Sequence, residues 1–304
     1  MGGWSDLKME KVLLDTDIGC DIDDAICTAY LLARPDCDLV GITTVNGDTV
    51  ARAKLASAIC KAAGRNVPIY PGTKDTLLVR RARKPVPQAA ALDRLNHDDA
   101  FPENRYLEFM RDTILGDPGQ VTLLAIGPMT NVGLLLSAYP ETARALKRLV
   151  LMGGNFQNPL TGLGYMESNT MCDPHASALV YRAEVARHLS VGCDVTNGIS
   201  MEKDEVYRSF SRHPVLASVL PMADVYFSGG ARELFFHDSC AAACIFNEEI
   251  IAWGGGQVDV ELCADALQGM TVVKHAAYLG GRHRVAVSVD REAYFRDFRR
   301  VFGL

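Results

Sequence analysis

Apolar residues in this chain fall into short continuous runs, each closed by a polar turn and followed by apolar positions at helical spacing. Residues 12–32, VLLDTDIGCDIDDAICTAYLL, set the pattern and predict a strand, a carboxylate-rich turn and a helix. The same order returns with a strand over 38–45, the turn Asn46-Gly47-Asp48 and a helix over 49–63. A short strand over 67–70, a helix over 106–115, and strands over 121–126, 148–152 and 189–193 continue it. Helices are expected to follow the 121–126 strand as far as Leu136 and to begin at Asp173-Pro174. Repeated strand–helix units predict an α/β fold, a mostly parallel sheet flanked by helices, in one domain over residues 1–304.

In such sheets ligands bind beyond the carboxyl ends of the strands, which would gather the distant polar turns on one rim. Two stretches, 73–104 and 155–172, lack clear periodicity, and long irregular loops in compact domains are often functional. Farther on, 213–227 reads as one helix despite Pro221, and 239–246 as a small apolar helix. Residues 258–262, 270–274 and 285–289 read as strands of a side sheet, and 291–301 as a closing amphipathic helix.

The first turn carries the most pointed chemistry. Asp15, Asp17, Asp21, Asp23 and Asp24 lie within ten residues and would repel one another unless a cation sat among them. Apart from Cys20 the turn offers only oxygen donors, which suit a hard ion, Ca²⁺ or Mg²⁺, and calcium is expected. The plainer alternative is that Asp23 and Asp24 favour the positive end of the following helix with Asp21 as its cap. Capping leaves Asp15 and Asp17 unexplained. His237-Asp238, ahead of the 239–246 helix, is either a metal-binding or catalytic pair or a plain N-cap beside a surface histidine.

Composition narrows the partners. A net charge of −6 and a pI near 5.7 argue against nucleic acid and anionic membranes. The one basic run, Arg80-Arg81-Ala82-Arg83-Lys84, precedes prolines and reads as a solvated loop. Nine scattered cysteines without a CxxC pair fit reduced thiols and a cytoplasmic protein. No signal peptide, bilayer-spanning stretch or myristoylation pattern is expected, the last because Asp6 stands where Ser or Thr is needed.

Five motifs in order, DTDIGCDIDDA, GITTVNGD, AIGPMTN, MGGN followed by MESN, and HD at Asp238, resemble the inosine–uridine-type nucleoside hydrolase family from about Val12 to the final helix. The resemblance implies a single α/β domain, commonly dimeric or tetrameric, that hydrolyses the N-glycosidic bond of ribonucleosides at a tightly bound Ca²⁺. It implies Asp17, Asp24, the Ile126 carbonyl and Asp238 as calcium ligands, with Asp17 also the base toward a metal-bound attacking water. Asp23 would hold a ribose hydroxyl, Glu167 and Asn169 would bind the sugar, and His237 would lie near the leaving base. Asp48 stands where the family usually has a sugar-binding asparagine, Asn155 and Asn158 are both candidates for a further one, and extra turn residues let Asp21 compete with Asp23. Carboxylates under an oxocarbenium-like sugar and a base-activated water are the parts this cleavage needs.

Two other readings share the first motif. In an aspartate-dependent phosphatase Asp15 would be the nucleophile and Asp17 its acid partner, with Mg²⁺ between them. A ribose- or nucleoside-binding protein without turnover would keep the ligands and lose the chemistry.

Overall fold

A computed structural model describes residues 9–78, 83–156, 166–275 and 283–304. Arg80 and Arg81 of the basic run, the start of the chain and Asn158 lie outside them.

The first half follows the predicted alternation: β1 (Glu10–Thr16), α1 (Asp23–Ala33), β2 (Cys37–Thr44), α2 (Thr49–Ala62), β3 (Ile69–Pro71), α3 (Tyr106–Gly116) and β4 (Val121–Ala125). Then come α4 (Thr130–Ala138), α5 (Glu141–Ala145), β5 (Arg148–Met152), α6 (Ser168–Cys172), α7 (Pro174–Arg182) and β6 (His188–Val191). The chain continues through α8 (Cys193–Thr196), β7 (Ser200–Glu202), α9 (Lys203–Phe210), α10 (Pro214–Ala217), α11 (Leu220–Ser228) and β8 (Glu233–Phe235). It ends with α12 (His237–Phe246), β9 (Ile251–Val260), β10 (Thr271–His275), β11 (His283–Val289) and α13 (Arg291–Phe302).

Nine of the strands form one sheet in the order β10-β9-β11-β6-β5-β4-β1-β2-β3, parallel from β11 to β3. Its central strands are buried on both faces, which is why they read as continuous apolar runs. Val12, Leu14, Leu124 and Val150 face one layer with α1, α2, α12 and α13, while Leu13, Leu123, Leu149 and Leu151 face the other with α4 and α7. The order runs outward in opposite directions from β1 and β4, so the crevice between their carboxyl ends is the switch point where such sheets bind ligands.

Three expectations are corrected. The strands expected as a side sheet belong to the main one: β11 pairs in parallel with β6, and β9 and β10 extend it antiparallel. The expected 213–227 helix is two, because Pro221 lacks the N–H a helix interior needs and sits in the first turn of α11. Neither suggested cap acts as one. Ile22 precedes α1 without a side-chain bond and Asp21 accepts from the Ile22 N–H instead, while Asp238 lies inside the first turn of α12.

The last helix ties the ends of the chain together. Tyr30 of α1 stacks on Phe298 of α13, and the buried Arg34 guanidinium pairs with Asp36 at 2.7 Å and Asp297 at 2.9 Å.

Candidate active site

A cavity of about 380 Å³ opens at the carboxyl ends of β1, β4, β5 and β6. Asp17 comes from the end of β1, and Asp23 and Asp24 from the first turn of α1. The Thr16 hydroxyl donates to Asp24 Oδ1 and accepts from the Ile18 N–H, fixing that carboxylate against the turn. Asp238 enters from the first turn of α12, and its carboxylate, Asp23 and Asp24 bring ligand oxygens within 4.8 Å of one another. Ile126 follows β4, where Gly127 is required: a side chain there would lie 2.9 Å from the Asp17 nitrogen.

Burial first, and then mutual repulsion, pushes Asp23, Asp24 and Asp238 well above the usual carboxylate range. Such a triplet fits a divalent cation, and its donors, with Asp17 and the Ile126 carbonyl beside them, are all oxygens. Asp23, rather than Asp17, completes the group whose oxygens lie within 4.8 Å of one another. Asp17 is paired elsewhere, its Oδ2 lying 2.9 Å from the Lys84 ammonium.

Glu167 caps α6, accepting from the N–H groups of Gly154, Asn169 and Thr170. Burial raises its carboxyl, and those three bonds oppose the rise. Asn169 donates to the carbonyls of Ile126 at 2.9 Å and Met152 at 3.2 Å, which turns its own oxygen toward Lys84 at 3.1 Å. Both side chains line the cavity, as does Asp21 at its exposed rim.

His237, next to Asp238 at the start of α12, also lines the cavity. Its Nδ1 lies 2.7 Å from the hydroxyl of buried Thr196, and its ring stacks on Phe235 at 5.4 Å and 11°. Thr196 donates to the Gly192 carbonyl, which leaves its lone pairs for the histidine N–H. Burial lowers the His237 pKa, with the charge of Asp21 opposing the shift.

Two expected sugar ligands are not brought in. Asp48 is exposed and its carboxylate caps α2 by accepting from the Ala51 N–H, outside the cavity. Asn155 is buried, its backbone bonded on both sides to the Thr271 hydroxyl, and it is not among the described residues that line the cavity. Asp15 is likewise absent from the lining. Thr43 and Asn131 donate to its Oδ1, and burial still pushes it up to about 7.

Lys84, Thr196 and Arg52 carry weight that the sequence reading missed. Lys84 is no solvated loop residue: burial would push its amine down, but Asp17 and then Glu167 hold it above its usual range. Arg52 is fully buried and donates to the carbonyls of Asp17, Ile18, Asn46 and Lys84, stapling three loops. A signal was present: Arg52 shares the buried stripe of α2 with Thr49, Ala53 and Ala56, where a charge needs a reason.

Comparison with known proteins gives one answer. The family model described as "Inosine-uridine preferring nucleoside hydrolase" matches residues 12–296. The non-specific ribonucleoside hydrolase RihC of Salmonella enteritidis is 31% identical over 310 residues, covering 96% of this chain and 97% of the relative. Among solved structures, the purine-preferring ribonucleoside hydrolase from Gardnerella vaginalis superposes with a TM-score of 0.84 at 22% identity, over 97% of this chain and 98% of that one. An inosine-guanosine nucleoside hydrolase gives 0.79 at 20% identity, over 97% and 98%.

Proposed function

We propose a reaction for this site from one premise: the chain belongs to the inosine-uridine preferring nucleoside hydrolase family. It is a nucleoside hydrolase, an enzyme that cleaves N-glycosyl bonds of ribonucleosides. The finer reading is calcium-dependent hydrolysis to ribose and free base. The observation that carries it is the buried Asp23, Asp24 and Asp238 triplet, which lines one cavity together with Asp17 and His237.

Asp17, Asp24, Asp238 and the Ile126 carbonyl would hold the ion, with Asp23 at its edge holding a ribose hydroxyl. When bound, a divalent ion supplies positive charge that orients a sugar diol and acidifies water. Asp17 takes the proton of the attacking water. Glu167 and Asn169 hold the sugar's hydroxyls, and the surrounding carboxylates stabilise the positive charge that develops on the ring as the base departs. His237 is the proton donor to the leaving base: protonated on both nitrogens, it keeps the Nδ1 proton on Thr196 and gives the Nε2 proton to the base.

Base preference is not carried over, since the relatives bear names from non-specific to purine-preferring. Nine unpaired cysteines support a reducing, cytoplasmic setting, and no described helix is long and apolar enough to cross a membrane. A dimer or tetramer is the assembly to test by light scattering. The phosphatase reading loses support because Asp15, its nucleophile, is enclosed by Thr43 and Asn131.

Release of free ribose from inosine, uridine, adenosine, cytidine and a nitrophenyl riboside tests the proposal. Release that stops on chelation and returns with calcium is the expected result. No release from any of them, while calorimetry shows calcium bound, would favour a binding protein without turnover.

A further inference from the structure

Lys84 is built into the acid site from both sides of its peptide. Its N–H donates to Asn46 Oδ1 at 2.8 Å, and its carbonyl accepts from Arg52 at 3.2 Å. Gly47, at φ +70°, permits this approach, because a side chain there would meet the Lys84 carbonyl at 2.8 Å. The backbone is therefore fixed, and the four-carbon side chain delivers its ammonium to Asp17 Oδ2 at 2.9 Å and Asn169 Oδ1 at 3.1 Å.

Arg52, the other cation at this turn, spends its N–H groups on backbone carbonyls. Among the described residues Lys84 is thus the cation that reaches a cavity carboxylate directly. We infer that Lys84 is a tethered cation of the acid site that competes with the divalent ion for Asp17 and so sets how tightly that ion is held. The inference rests on the calcium site proposed above. An ion drawn to Asp17, Asp24 and Asp238 meets one carboxylate already paired with an ammonium, and the two cations then repel across a few ångströms. The lysine need not leave the site to yield, because Asn169 Oδ1 offers it a second partner whose orientation is fixed by the Ile126 and Met152 carbonyls.

Titration calorimetry of calcium into the full-length, chelator-stripped protein at pH 8 tests this with Lys84→Met, Lys84→Gln and Lys84→Arg. Removing one positive charge a few ångströms from a divalent ion should tighten its binding by about tenfold in the Met and Gln variants. The Arg variant keeps the charge and should stay within about threefold of wild type. Thermal melts in chelator establish that each variant is folded, and Lys84→Gln answers if Lys84→Met is not. Unchanged or weaker calcium binding in a folded uncharged variant, with wild type binding normally, overturns the role of Lys84 alone. Absence of calcium binding in wild type overturns both this inference and the calcium site.

Discussion

The Thr196 hydroxyl lies 2.7 Å from His237 Nδ1 and itself donates to the Gly192 carbonyl, so one residue sets the orientation of the imidazole and which nitrogen faces the cavity. If His237 serves the leaving base, Thr196→Val should slow inosine by about tenfold or more and leave a nitrophenyl riboside, whose leaving group needs no proton, nearly unchanged. Thr196→Ser should restore inosine turnover. His237→Ala should show the same split in larger measure, and equal losses on both substrates would remove His237 from leaving-group chemistry.

Asp17→Ala should abolish ribose release from every riboside while leaving the circular dichroism of the fold intact. Near-normal turnover would take Asp17 out of the mechanism.

Asp48 caps α2 and faces solvent. Asp48→Ala should therefore cost stability by about 0.5–2 kcal/mol, the usual worth of such a cap. Its kcat/KM should stay within about twofold of wild type for ribosides, since a cap outside the cavity contributes to the fold alone. A large loss of activity in a well-folded variant would return Asp48 to the sugar site.

Arg52→Lys should fail where charge alone would suffice. An ammonium cannot donate in fixed directions to four carbonyls in three loops, and each buried carbonyl left unpaired costs about 1–3 kcal/mol. Loss of thermal stability together with turnover is the expected outcome. A Lys variant as stable and active as wild type would show that Arg52 supplies only charge.

The acid cluster predicts an unusual pH dependence. Asp15, pushed up to about 7, and Asp23, Asp24 and Asp238, raised well above their ordinary values, bind protons more tightly folded than unfolded. Between the ordinary carboxylate pKa and the raised one the native state holds more protons, so stability falls as pH rises, by about 1.4 kcal/mol per pH unit for each group in that window. Melts in chelator should show a lower Tm at pH 8 than at pH 5.5, and calcium should narrow the gap by favouring the ionised cluster. A Tm rising from pH 5.5 to 8 in chelator would contradict the burial of these acids.

The strand–helix repeats were legible because central parallel strands are buried on both faces, so β1, β4 and β5 announce themselves as short, mostly apolar runs. Asp23, Asp24 and Asp238 were legible through the density of acids in one turn and the His-Asp pair at the head of α12. The attachment of β11 to β6 was not, since pairing between distant segments leaves no local mark. Lys84 looked like one more member of a basic run. What sets it apart is Asn46, Arg52 and Asp17, which come to it only in three dimensions. Thr196 was hidden likewise, an ordinary residue until α12 sets a histidine against it.

The meeting of Asp24 with Asp238 also has a polymer consequence. These residues are separated by about two hundred positions along the chain, so their junction closes one large loop around most of the sheet. Closing a flexible loop of that length costs about 5 kcal/mol of chain entropy on the simple logarithmic scale. A cation bound there, and only in the folded chain, would act as a reversible clasp on that ring, adding to the contacts of α1 with α13 that hold the first and last thirds of the molecule together.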